Sequence, residues 1–196
     1  MTGASLPLVG LFVGGQGTRM GGVAKGLLKL PGSGQSLLER LLGEVRQALP
    51  GAQPVLVGSA TAYAALGLEA VPDRPAGVGP LGGLIALLAH AQARGDSQVL
   101  ALACDLPRLD AALIGRLVGA DAAASAVVTA QGNVRNPLVA RYAVEPASAA
   151  AASALAAGKR SLQAVLDRLQ PPPTSLALSA EEEALLDDWD TPSDMH

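Results

Sequence analysis

The chain has 196 residues, 49% of them hydrophobic and 16% charged, which is enough apolar material for a core and too orderly a balance for disorder. One cysteine, Cys104, excludes an internal disulfide framework and any cysteine-built zinc site, while aromatics at 2% exclude a base-stacking surface for nucleic acid. The net charge of −3 hides an asymmetry: residues 1–38 carry Arg19, Lys25 and Lys29 and no acid, whereas residues 181–196 carry seven acids and no Lys or Arg. An acid-free segment suits an anionic ligand. The acidic end reads equally well as a solvated tail.

An apolar run over residues 6–13 breaks into glycines, which predicts a buried strand feeding a loop. Ser36-Leu37-Leu38-Glu39 has the spacing of a capping box, and Leu37, Leu38, Leu41, Leu42, Val45 and Leu49 share one helical face before Pro50-Gly51. Strands follow at 54–57 and 68–71, separated by a short helix at 61–66. A loop rich in proline and glycine at 72–80 leads to a helix at 81–94 and an apolar strand at 98–103 that stops at Cys104-Asp105. Strands at 125–130 and 137–142 meet through a turn at Gly132-Asn133. Helices are expected at 147–157 and 162–169, and a last strand at 175–179. Strands alternating with helices predict a three-layer α/β/α domain with a mostly parallel sheet, spanning residues 1–196 as one unit. No apolar run approaches the ~18 residues of a membrane span, and no basic residue precedes Arg19, so neither a span nor a secretory leader is expected, and the expected setting is the cytoplasm.

Ligands of open α/β sheets bind beyond the carboxyl ends of the strands. Gly14-Gly15-Gln16-Gly17-Thr18-Arg19-Met20-Gly21-Gly22 falls at such an end, with Lys25 just after it. Glycines let the backbone approach a phosphate chain, and Arg19 and Lys25 match its charge. The segment lacks the third glycine of a dinucleotide fingerprint and the Gly-Lys-Ser/Thr of a Walker loop. Asp105 also ends a strand, where a carboxylate can hold Mg²⁺ together with phosphate oxygens and water, or can cap a following helix. Cys104 reads as a small buried hydrophobe. His90 and His196 offer no pair for a metal or a triad.

These residues resemble the nucleotidyltransferase superfamily, and specifically the molybdenum cofactor guanylyltransferases. The glycine-rich loop with Lys25-Gly26-Leu27-Leu28, then Gly79-Pro80-Leu81-Gly82-Gly83-Leu84, Cys104-Asp105-Leu106-Pro107, Asn136-Pro137-Leu138 and Asp190-Thr191-Pro192-Ser193-Asp194 match the family's motifs in order. The resemblance implies a nucleotidyltransferase-like Rossmann topology and transfer of GMP from Mg-GTP to the terminal phosphate of molybdopterin, with pyrophosphate as the second product. It implies that Phe12, Val13, Gly14 and Gly15 contact guanine, Lys25 the phosphates, Asp73 the nucleotide, and Asp105 both nucleotide and Mg²⁺. Asp190 is the expected second carboxylate for the cation, with Lys25, Asp105 and Arg19 as the catalytic set. Val13-Gly14-Gly15 is closer to the guanine enzymes than to their cytidine relatives, which carry Ala-Ala-Gly. Gly58 stands where some members carry an asparagine that contacts the nucleotide. The implied partners are GTP and Mo-molybdopterin, with molybdenum-insertion and cofactor-receiving proteins, and neither nucleic acid nor membrane. Cytidylyl transfer, sugar-phosphate nucleotidyl transfer and a GTP-binding module without turnover stay open as alternatives.

Overall fold

The computed structural model describes residues 6–13 and 24–189. Among these residues, seven strands form one sheet in the order β3-β2-β1-β4-β6-β5-β7. They are β1 (Leu8–Phe12), β2 (Val55–Val57), β3 (Ala70–Val71), β4 (Gln98–Ala103), β5 (Ala126–Gln131), β6 (Val134–Ala143) and β7 (Thr174–Ser175). The helices are α1 (Leu37–Ala48), α2 (Pro80–Arg94), α3 (Ala111–Gly119), α4 (Val144–Ala156), α5 (Leu162–Leu166) and α6 (Ala180–Glu183), with 3₁₀ turns at Lys25–Leu27, Thr61–Leu66 and Ala184–Leu186.

β1 is buried along its whole length and pairs parallel with β2 on one side and β4 on the other. A strand covered on both faces has no need of alternation, which is why residues 6–13 read as a continuous apolar run. β6 runs antiparallel to both β4 and β5, so the sheet is mixed with a parallel half around β1. Because Val139 pairs with Leu102, the first half of β6 projects past the carboxyl end of β4 and overhangs the region after Ala103.

Two apolar layers flank the sheet. One packs Leu81, Leu84, Leu87 and Leu88 of α2 with Ala147, Ala150, Ala151 and Ala154 of α4. The other packs Leu38, Leu41, Leu42 and Val45 of α1 with Leu113, Ile114 and Leu117 of α3. The alanine-rich stretch is thus a packing face as well as a good helix former, since its small side chains let α4 lie close to α2 and the sheet.

The capping box forms as its spacing predicts: Ser36 Oγ accepts from the Glu39 N–H at 3.2 Å, and Glu39 Oε2 accepts from the Ser36 N–H at 2.7 Å. Three expectations need correction. Helix α2 starts at Pro80, one residue before the expected 81–94 span, because the missing N–H of proline costs nothing in a first turn. Helix α3 was not anticipated; Asp110, and not Asp105, caps it by accepting from the Leu113 N–H at 2.8 Å. The last strand spans only Thr174–Ser175, because Ser179 caps α6 instead of extending the sheet. The acidic end, as far as Trp189, is also no solvated tail. Leu186 is buried in the apolar layer that also holds α1 and α3, Glu182 pairs with Arg116, and Asp187 pairs with Arg108 at 3.3 Å. Among the described residues, no helix is long and apolar enough to cross a membrane.

Candidate active site

The parallel ladder carries on one residue beyond the strands: the Val13 N–H donates to Val57, and the Cys104 N–H donates to Phe12. Four segments therefore leave the sheet at one edge, after Phe12, Val57, Val71 and Ala103. Lys25 returns to this edge in the first 3₁₀ turn. Its Nζ lies 3.1 Å from Asp105 Oδ2, with both side chains about a quarter exposed (24% and 22%). An ammonium and a carboxylate thus face the same solvent-reached space, 80 residues apart in sequence. Cys104 beside them points into the core, and burial pushes its thiol up to about 12, which removes it as a nucleophile.

The chain's acidic end reaches the same place. The Trp189 N–H donates to the Asp105 carbonyl at 3.0 Å. Asp105 is therefore clasped through its side chain by Lys25 and through its main chain by the segment after α6.

A second part of the site lies beyond β2 and β3. A cavity of about 860 Å³ opens there, lined by Gly58, Ser59, Thr61, Tyr63, Pro72 and Asp73 among others. That volume falls within the usual range for small-molecule sites and is ample for a nucleoside. Asp73 has no hydrogen-bond partner among the described residues, and burial raises its carboxyl above the ordinary aspartate value. Gly58 has φ of +107°, a conformation that residues with a side chain adopt only at a cost.

Two glycines in the first turn of α2 set where Asp73 stands. A Cβ on Gly82 would lie 2.4 Å from the Pro75 carbonyl oxygen, and one on Gly83 would lie 3.1 Å from Asp73 Oδ1. The loop is pinned there by the Arg74 N–H, which donates to Gly82 at 3.1 Å. Gly82→Ala is therefore expected to cost about 1–3 kcal/mol, since backbone must move to admit the methyl group. Gly43→Ala, in α1 with nothing within 4 Å of the added carbon, is expected to stabilise by up to about 1 kcal/mol. Urea midpoints moving in the same direction for both variants would refute the close-approach argument.

The structure places Lys25, Asp105, Phe12, Val13 and Asp73 at the carboxyl edge of the sheet. The side chains of Phe12 and Val13, however, are buried on opposite faces of the sheet, which leaves only their main chain available at this edge. Gly14, Gly15, Arg19 and Asp190 lie outside the described residues. One residue was missed: Tyr63, a cavity wall whose Oη accepts from the Gly26 N–H at 3.2 Å. Nothing local marks it, since its partner is 37 residues away.

Comparison with solved structures places this arrangement in the nucleotidyltransferase class of α/β folds. Molybdopterin-guanine dinucleotide biosynthesis protein A from Archaeoglobus fulgidus superposes with a TM-score of 0.73 at 25% identity, covering 95% of this chain and 94% of that one. The 2-C-methyl-D-erythritol 4-phosphate cytidylyltransferase from Thermus thermophilus shares the fold, with a TM-score of 0.66 at 17% identity over 97% and 96%. The chain belongs to the MobA-like NTP transferase domain family, whose model matches residues 10–187. A protein of Opitutus terrae named "Probable molybdenum cofactor guanylyltransferase" is 32% identical over 188 residues, 94% of this chain and 90% of that one. A molybdenum cofactor guanylyltransferase of Shewanella sp. (strain MR-4) is 32% identical over 135 residues, 66% of this chain and 64% of its own.

Membership of an NTP transferase family suggests a divalent metal, and the residues present suit one. Among the described residues, no three His, Cys, Asp or Glu side chains gather into a metal cage. Mg²⁺ does not ask for one, because it binds through one or two carboxylates and takes its other ligands from phosphate oxygens and water. Asp105, partly exposed at the carboxyl edge and beside a cation, has the chemistry to be one ligand of a divalent metal.

Proposed function

We propose that this chain transfers GMP from Mg-GTP to the terminal phosphate of molybdopterin in the cytoplasm, giving the guanine dinucleotide form of the cofactor and pyrophosphate. The observation that carries the proposal is the Lys25–Asp105 pair at the carboxyl edge of the sheet, next to a nucleoside-sized cavity with Asp73 in its wall. Similarity to relatives named for this activity supports it.

The nucleoside fits the cavity, where the Asp73 carboxylate accepts from guanine N1–H and the 2-amino group. The main chain of Phe12, Val13, Gly14 and Gly15 flanks the base, and Lys25 and Arg19 hold the triphosphate. A phosphate oxygen of molybdopterin attacks the α-phosphorus, a new P–O bond forms, and the bond to the β-phosphate oxygen breaks as pyrophosphate leaves. The attacking phosphate is already ionised near neutral pH, so no general base is required, in keeping with a site that holds no histidine among the described residues. His90 lies on α2 against Glu69. Positioning and charge neutralisation carry the reaction. Asp105 and Asp190 are the ligands we assign to Mg²⁺, which when bound draws negative charge off the phosphates. Proteins that insert molybdenum and proteins that receive the finished cofactor follow as partners.

The test is calorimetry with GTP, CTP, ATP and UTP in the presence of Mg²⁺. GTP binds, while CTP and ATP bind at least about 10²-fold and up to roughly 10⁴-fold more weakly, because a partly buried carboxylate loses its donors to the wrong base. Since Asp73 must be ionised to accept, GTP affinity falls as pH drops through its raised pKa and is complete above it. Equal affinity for CTP and GTP overturns the guanine assignment.

A further inference from the structure

Tyr63 joins the two halves of the site and has so far been given no role. It lies in the 3₁₀ turn Thr61–Leu66, with only 2% of its surface exposed, and its ring forms part of the wall of the nucleoside-sized cavity. Its hydroxyl reaches across to the turn that carries Lys25, accepting from the buried Gly26 N–H at 3.2 Å. The fit is close. A Cβ on Gly26 would lie 3.0 Å from Tyr63 Cε1, 3.1 Å from Tyr63 Oη and 3.3 Å from Leu38 Cβ, so the turn rests directly on the phenol. Burial first, then the nearness of Cys104 and Asp105, pushes the phenol up to about 12, so it stays neutral at any working pH.

We infer that Tyr63 is a positioning residue for nucleotidyl transfer: it holds the Lys25–Leu27 turn so that the Lys25 ammonium stands over the space in front of Asp105. The inference rests on the GMP-transfer reading and adds a residue to it. Tyr63 touches the reacting phosphates only through Lys25. Its ring is a cavity wall and its hydroxyl is a fixed acceptor, so the two functions can be separated by removing the oxygen alone. Tyr63→Phe keeps the wall and takes the oxygen acceptor from the Gly26 N–H, leaving it only the weaker Cys104 sulfur among the described residues, a loss that a short turn relieves by shifting. A displacement of Lys25 by a fraction of an ångström matters most where charge develops in the transition state and least where the nucleoside is bound.

The experiment is a double-mutant cycle on GMP transfer with wild type, Tyr63→Phe, Lys25→Ala and the double variant, each assayed well below its thermal midpoint. Tyr63→Phe is expected to lower kcat by about 5–10-fold with KM for GTP unchanged within about twofold, and to change kcat less than about twofold in the Lys25→Ala background. Gly26→Ala presses on the same contact from the other side and is expected to give the same kcat-selective loss, again absent without Lys25. Full kcat in Tyr63→Phe, or an equal loss with and without Lys25, overturns the inference and leaves GMP transfer standing. A wild-type chain that binds GTP yet forms no guanine dinucleotide overturns the GMP-transfer reading, and the role of Tyr63 falls with it.

Discussion

Asp105→Asn is expected to reduce metal-dependent GMP transfer by about 10³-fold or more, the largest single effect in the molecule. The substitution conserves shape and leaves the Asp105 carbonyl free to accept from Trp189, so the local backbone is retained. What is lost is the negative charge. A neutral amide is a poor ligand for Mg²⁺, a cation that prefers anionic oxygen and otherwise keeps its water. The amide also removes the ionic partner that stands 3.1 Å from Lys25. A 10³-fold loss corresponds to about 4 kcal/mol of transition-state stabilisation, within reach of one charge acting in a partly water-excluded site. The check is initial rate against Mg²⁺ concentration. Asp105→Asn should show no saturable metal dependence, and a variant that saturates like wild type would remove Asp105 from the metal site. Asp190→Ala is expected to raise the Mg²⁺ requirement while leaving metal-free GTP binding intact.

Lys25→Ala is expected to slow turnover by about 10²–10³-fold, the usual loss for one electrostatic stabiliser of a transition state. Its effect on folding should be small. The Lys25–Asp105 pair is about a quarter exposed, and a pair with that much access to water contributes about 1 kcal/mol or less to stability. Circular dichroism melts and rate measurements on the same preparation separate the two effects. A thermal midpoint lowered as far as that of a core truncation, with kcat preserved in the folded fraction, would make Lys25 a structural partner of Asp105 and nothing more.

The parts of this fold legible in the sequence are those whose causes are local. The buried run of β1, the Ser36–Glu39 capping box and the Gly132-Asn133 turn between β5 and β6 each declare themselves within a few residues. Helix α3 escaped because it is short, with glycines at 115 and 119, although Asp110 before Leu113, Ile114 and Leu117 was a usable signal. The acidic composition of residues 181–196 suggested solvation, yet the anchors of that segment, Arg108, Arg116 and Gln131, come from distant parts of the chain. For the same reason, the placement of β6 between β4 and β5 follows from tertiary pairing and not from pattern.

The site divides in the same way. Lys25 and Asp105 were visible as charged residues at strand ends, and their meeting at 3.1 Å gives physical content to a motif match. Asp73 drew attention through resemblance alone; the structure adds its place in a cavity wall, without a hydrogen-bond partner among the described residues. Tyr63 looked like one aromatic in a short helix. Its importance comes from a hydrogen bond across 37 residues that no spacing rule could reveal.

The most direct measurement of the central claim is a competition assay. The chain is incubated with Mo-molybdopterin, Mg²⁺ and equimolar GTP and CTP, and dinucleotide products and pyrophosphate are followed by mass spectrometry and a coupled phosphate assay. The account predicts the guanine dinucleotide as the dominant product, with one pyrophosphate released for each molecule formed. The cytosine dinucleotide as main product, or GTP bound without any dinucleotide formed, would contradict it.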